Sequence, residues 1–201
     1  YDTNHHVDRV IEDLRNALDE WPDDKFETYS SRFYNTYWQA AATEDLVRNA
    51  LMIDLADKFG DNFTVNIHID DFQNISELSV YAQDHPGLFA RLTGAIALSG
   101  ASIQDARIFT TKDGMALDTF RIQGADGQVF KEKAKLKKLE SNIKETLAGE
   151  LRPREVFDRR RVKKKHTDIF KVEPRVLIDN KASNSRTVIE INGWDRIGYL
   201  F

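Results

Sequence analysis

The spacing of apolar residues changes abruptly at Phe63, and that change fixes the order in which this chain uses helices and strands. Before it, Val7, Val10, Ile11, Leu14 and Leu18 recur three and four apart, the signature of one buried helix face. Trp21-Pro22-Asp23-Asp24 ends that helix and offers a start to the next. Phe26, Tyr29, Phe33, Tyr34, Tyr37 and Trp38 then place six aromatics at helical spacing, which predicts packing between helices rather than a planar ligand. Thr43 is the expected cap of a third helix, with Leu46, Ala50, Ile53, Leu55 and Phe59 as its buried side and Gly60 as its stop. From Phe63 onward the period is two: Phe63, Val65, Ile67 and Ile69 alternate with Thr64, Asn66, His68 and Asp70, as in a half-buried strand.

The rest alternates between the two periods. Leu78, Val80 and Ala82 form a second strand pattern, and Leu88, Leu92, Ala95, Ile96 and Leu98 a helix that Gly100 closes. Ile103 to Thr111 and Met115 to Gln123 read as strands joined by a Lys112-Asp113-Gly114 turn. Lys131 to Leu147 is a Lys/Glu-rich helix with Leu136, Leu139, Ile143 and Leu147 along one face. Phe170 to Ile178 is the expected last strand, with Pro174 placing it at an edge or a bulge. From Glu77 the order is β-α-β-β-α-β, the ferredoxin-like arrangement of two helices on one face of a four-stranded antiparallel sheet, an α+β fold. The Arg/Lys-rich connector from Gly149 to Thr167 is expected to be an insertion or a loop.

Charge is unevenly spread over a chain whose formal net charge is −4. Lys131 to Lys171 holds fifteen Lys or Arg against seven Asp or Glu, compatible with an anionic partner or with a solvated face. The absence of cysteine excludes disulfides, thiolate nucleophiles and Cys-ligated metals. His5-His6 reads as solvated side chains, since adjacent helical residues point in different directions, and His68 with Asp70 lies on the polar side of a strand. No apolar run has the length of a membrane span and no signal-peptide pattern is present, so a cytoplasmic location is expected.

One turn occurs twice. Asp84-His85-Pro86-Gly87-Leu88-Phe89 follows a strand pattern and opens a helix, and Asp195-Arg196-Ile197-Gly198-Tyr199-Leu200 does the same 111 residues later. At that offset Leu78 falls on Ile189 and Val80 on Ile191, so a strand, a D-x-x-G turn and a helix start are repeated. The second copy is expected to be the start of a further domain in a longer tandem protein. A helix N-terminus presents unpaired N–H groups and favours an anion, Gly87 admits close approach, and Asp84 can accept hydrogen bonds from an ammonium group. Together these describe a clasp for an α-amino acid. A plain helix cap formed by Asp84 is the other reading, and the tetrapeptide leaves both open.

The order β-α-β-β-α-β with D-x-x-G-L-F after its first strand resembles the ACT domain, a small-molecule sensing module. The block VYAQDHPGLFARLTGAIALSGASIQDARIFTTKDGMALDTF, Val80 to Phe120, resembles the first ACT domain of the bacterial bifunctional uridylyltransferase/uridylyl-removing enzymes that modify the PII nitrogen-signalling protein. Phe170 to Phe201 resembles the join into that family's second ACT domain, and SSRFYNTYWQ, Ser31 to Gln39, the helical stretch before the first. The resemblance implies a helical segment over 1–61, a first ACT domain with its preceding strand and basic insertion over 62–182, and the truncated start of a second over 183–201. It implies glutamine as effector, the second ACT domain as neighbour, and PII as substrate of the whole enzyme, with no nucleic acid or membrane involved. The implied glutamine ligands are Asp84, His85, Pro86, Gly87, Leu88 and Phe89, with Asp195, Arg196 and Gly198 from the second copy, where Ile197 replaces the family's usual proline. No catalytic motif and no metal site is found in this stretch, so no cofactor is expected here; Mg2+ is implied for the family's catalytic domains. The alternative is an amino-acid-binding ACT region of another metabolic or stringent-response enzyme. An RNA-binding sheet is disfavoured because Arg107-Ile108-Phe109-Thr110 does not match the aromatic word such a sheet needs.

Overall fold

A computed structural model describes residues 3–40, 42–163, 173, 175–181 and 187–192. Four helices come first: α1 (Thr3–Ala17), α2 (Asp23–Ser31), α3 (Asn35–Ala40) and α4 (Thr43–Phe59). Next come β1 (Phe63–Asp70), β2 (Ile75–Gln83), α5 (Leu88–Leu98), β3 (Ala101–Thr110), β4 (Met115–Gly124) and α6 (Lys133–Leu147). A further helix, α7 (Pro153–Lys163), lies where the sequence suggests an insertion or loop, and the strands β5 (Arg175–Asp179) and β6 (Val188–Asn192) follow. The fold is α+β as expected, around a four-stranded antiparallel sheet in the order β1-β2-β4-β3.

That sheet carries helices on both faces, because its strands bury both of their sides. Leu78 and Val80 on β2, and Phe120 and Ile122 on β4, pack with Leu92 and Ile96 of α5 and Leu139 and Ile143 of α6. The alternate positions Tyr81 and Leu117 join the aromatic core of α1 to α4 instead. Within that second core Phe33 and Tyr37 stack at 4.0 Å between centroids, and the Tyr29 and Tyr37 hydroxyls lie 3.1 Å apart. Of the six aromatics read as packing residues only Tyr34 is exposed. Ion pairs fasten the same face: Arg48 of α4 bonds to Asp45 and reaches Glu77 of β2 at 3.3 Å.

Three local expectations are corrected. Thr43 does not cap α4: it is the first helical residue, Ala42 precedes it, and no side chain closes that end. Leu55 and Phe59 are exposed, because the buried stripe of α4 runs through Leu46, Ala50, Ile53 and Ala56. The third correction concerns the edge strand. Of the segment expected to close the sheet after α6, the described part within β5 pairs with β6 instead, Pro174 lies outside the described residues, and the edge beside β2 belongs to β1. Chain connectivity accounts for this: β1 reaches β2 through the four residues Asp71–Asn74, with Asn74 at φ 55, and a short hairpin needs little closure entropy.

The β5–β6 pair repeats β1–β2 in register. Val65 lies opposite Val80 and Ile67 opposite Leu78; shifted by 111 residues, Val176 lies opposite Ile191 and Ile178 opposite Ile189. The internal repeat therefore begins with a hairpin, one strand earlier than the D-x-x-G turn suggests. In the first copy this face is covered by α5 and α6, whereas Val176, Ile178, Ile189 and Ile191 are exposed.

Candidate ligand site

The D-x-x-G turn sits at the end of β2 where the chain leaves the sheet for α5. The Asp84 N–H donates to the Gly114 carbonyl in the β3–β4 turn at 3.0 Å, which anchors the loop to that turn. Gly87 has φ 84, a left-handed conformation that suits glycine, and it is the residue from which α5 starts. No side chain caps α5. Asp84 therefore does not serve as the helix cap, the plain reading of this motif. Its carboxylate instead accepts a hydrogen bond from the Thr110 hydroxyl of β3 at 3.1 Å and is exposed.

The remaining loop residues divide between two sides. His85 Nδ1–H donates to the Pro86 carbonyl, 3.1 Å away, and the residue lines a cleft of about 690 Å3 shared with Arg32, Asp57 and Asp113. Leu88 is buried in the core beneath α5. Phe89 is 41% exposed and stacks on Phe120 of β4 at 5.8 Å. The structure thus brings Asp84, the start of α5 and Phe89 to one end of the helix-covered face. Asp195, Arg196 and Gly198 lie outside the described residues.

A family model for the ACT domain matches residues 76–141, from the second residue of β2 into α6. Residues 76–141 are an ACT domain. The wider chain is similar to the bifunctional uridylyltransferase/uridylyl-removing enzyme of Azospirillum brasilense, 43% identical over 190 residues that cover 94% of this chain and 20% of the relative. Enzymes of the same name from Gluconobacter oxydans and Rhodospirillum rubrum are 39% and 38% identical, over 98% and 94% of the chain. The chain spans about a fifth of the length of these curated relatives. No described helix is long and apolar enough to cross a membrane.

Sequence reasoning missed one residue of the ACT domain. Asp118 of β4 lies opposite Val80 on one side and Ile108 on the other, which puts it on the face that packs against α5 and α6. It is 2% exposed, and its Oδ1 has no hydrogen-bond partner among the described residues. Burial, together with the charge of Asp84, pushes its carboxyl up to about 7. The signal was available in the alternation itself: Ala116, Asp118, Phe120 and Ile122 share a face, and an acid among them has no structural reason to be there.

Proposed function

We propose that this chain is the regulatory, glutamine-sensing region of a bifunctional enzyme that uridylylates and deuridylylates the PII protein. The observation that carries this reading is the D-x-x-G turn of the ACT domain, where an uncapped helix start and the free face of an acid lie together. The relatives matched along nearly the whole chain bear the name of that enzyme, which supports extending the reading beyond the domain itself. The α-carboxylate of glutamine meets the N–H groups at the start of α5, and its ammonium meets Asp84.

The same loop has a physical route to the helical segment. Asp84 is bonded through its N–H to Gly114, and the adjoining Lys112 N–H donates to the Arg32 carbonyl at 2.8 Å. Lys112 Nζ reaches the Ser31 carbonyl at 2.8 Å, and Asp113 accepts from Arg32 at the same distance. A ligand that favours one position of the turn at Asp84 therefore biases the position of the β3–β4 turn against the end of α2. Such a ligand acts through its differential affinity for the two arrangements.

Asp84→Ala is expected to weaken L-glutamine binding to this chain about ten-fold or more, roughly 1.4 kcal/mol, with the circular dichroism spectrum unchanged. Isothermal calorimetry reads the difference. Equal affinity in the two proteins removes Asp84 from the site.

A further inference from the structure

Asp118 is the one strongly buried acid whose carboxyl the fold leaves unused among the described residues. We propose that Asp118 is the second acidic wall of the ligand site, so that a primary ammonium group is held between Asp118 and Asp84. The inference rests on the amino-acid reading of the D-x-x-G turn and adds a selectivity: α-amino acids are taken, and analogues without the ammonium are rejected.

Four observations carry it. Asp118, Ala116, Thr110 and Ile108 share the helix-covered face of the sheet, and Asp84 bonds to Thr110 on that face. Thr110 lies opposite Ala116, the next residue from Asp118 on the same face of β4, so the bond from Thr110 holds Asp84 at a neighbouring place, and the charge of Asp84 helps to push the Asp118 carboxyl up. Among the described residues no base forms an ion pair with either acid. Arg107 and Arg121 alternate with Asp118 along β3 and β4 and so project from the opposite face, where Arg107 lies 3.8 Å from Asp45 and Arg121 bonds to Gln73. His85, the titratable group nearest in sequence to Asp84, is engaged with the Pro86 carbonyl beside the separate cleft, and Arg91 of α5 is exposed.

A cation is what such a pair lacks. A buried acid without a partner destabilises a fold unless something in the working state compensates it. A ligand ammonium supplies three donors to two carboxyl groups and brings the compensating charge. Phe89 and Ile108, 41% and 46% exposed, supply an apolar rim for the methylenes of a side chain. A ligand carrying a carboxylate but no ammonium meets the two acids unpaired, which is the repulsive half of the selectivity.

The test compares L-glutamine with 4-carbamoylbutanoate, the same molecule without its α-amino group. Wild-type protein is expected to bind glutamine at least ten-fold more tightly than the analogue. In Asp118→Asn glutamine affinity falls at least ten-fold and affinity for the analogue does not fall. Calorimetry near pH 7, in buffers of different ionisation heat, gives a second readout. Wild type releases protons as glutamine binds, because Asp118 gives up its proton beside the ammonium, and Asp118→Asn releases fewer. Should Asp118→Asn not fold, the wild-type proton release and the preference over the analogue decide alone. Equal glutamine affinity in wild type and Asp118→Asn overturns the role of Asp118 and leaves the amino-acid reading standing. Folded wild type that does not bind glutamine overturns both.

Discussion

Asp118→Asn is expected to make the protein more stable at pH 8 by about 1–3 kcal/mol, a rise of several degrees in Tm for a chain of this size. The Asp118 carboxyl is pushed up to about 7 by burial and by the charge of Asp84, from an ordinary value of 3.8. A gap of that size corresponds to roughly 4 kcal/mol at a pH above both values. Asparagine keeps the shape and gives part of this back, because its buried amide also lacks partners, at about 1–3 kcal/mol. The sign with pH follows from the raised value. Between about pH 4 and pH 7 the folded protein holds more protons than the unfolded one. Wild-type stability therefore falls as pH rises through that window, and the penalty is complete above it. The gain from asparagine is accordingly largest at pH 8 and shrinks towards zero at pH 5. Thermal melts at the two pH values measure it. A variant that is less stable than wild type at pH 8 would mean that Asp118 has a structural partner after all. A stabilising substitution that weakens ligand binding is the pattern of a residue kept for function.

Removing Arg32 is expected to cost about 2 kcal/mol and to loosen the ACT domain from the helices before it. Arg32 reaches Asp57 of α4 and Asp113 of the β3–β4 turn, each at 2.8 Å, and also bonds to the Tyr81 hydroxyl. Burial works against its charge, yet the bond to Asp113 and the charges of Tyr81, Asp57 and Asp113 hold its pKa above the ordinary value. Breaking a fully buried pair costs about 3–5 kcal/mol; here Asp57 and Asp113 are each about half exposed and recover water, which lowers the figure. In Arg32→Met the methylenes are kept and the three polar links are lost. Urea unfolding gives the stability change. Hydrogen exchange gives the location: the Lys112 amide, which bonds to the Arg32 carbonyl, should exchange faster, while amides in the centre of β4 keep their protection. Unchanged exchange at Lys112 would contradict the coupling route from the turn to α2.

Much of this architecture is legible in the sequence because periodicity reports which residues share a face. Phe63, Val65 and Ile67 read as a strand and are one; Leu88 to Leu98 reads as a helix and forms α5 within those bounds. Periodicity does not report neighbours. The run that becomes β5 looks as suitable for the sheet edge as β1 does, and the choice is made by chain connectivity: four residues link β1 to β2. The same limit applies to α4, where Leu55 and Phe59 fit a three-and-four spacing but fall off the stripe that meets the sheet. In the candidate site, Asp84 and Gly87 are visible because turn chemistry is local. Asp118 is not, because its meaning depends on β2, β3 and β4 lying side by side in one register. A single acid in an alternating apolar run is the kind of local conflict that points to a site.

The measurement that bears most directly on the proposed amino-acid site is an NMR titration of the folded chain with L-glutamine, following backbone amides. Saturable shifts are expected at His85, Gly87, Phe89 and Ala90, at Thr110 and Asp118 across the sheet, and at Lys112 and Gly114 in the turn that leads to α2. The absence of saturable shifts at these positions, or saturable shifts confined to residues away from the start of α5, would contradict the account.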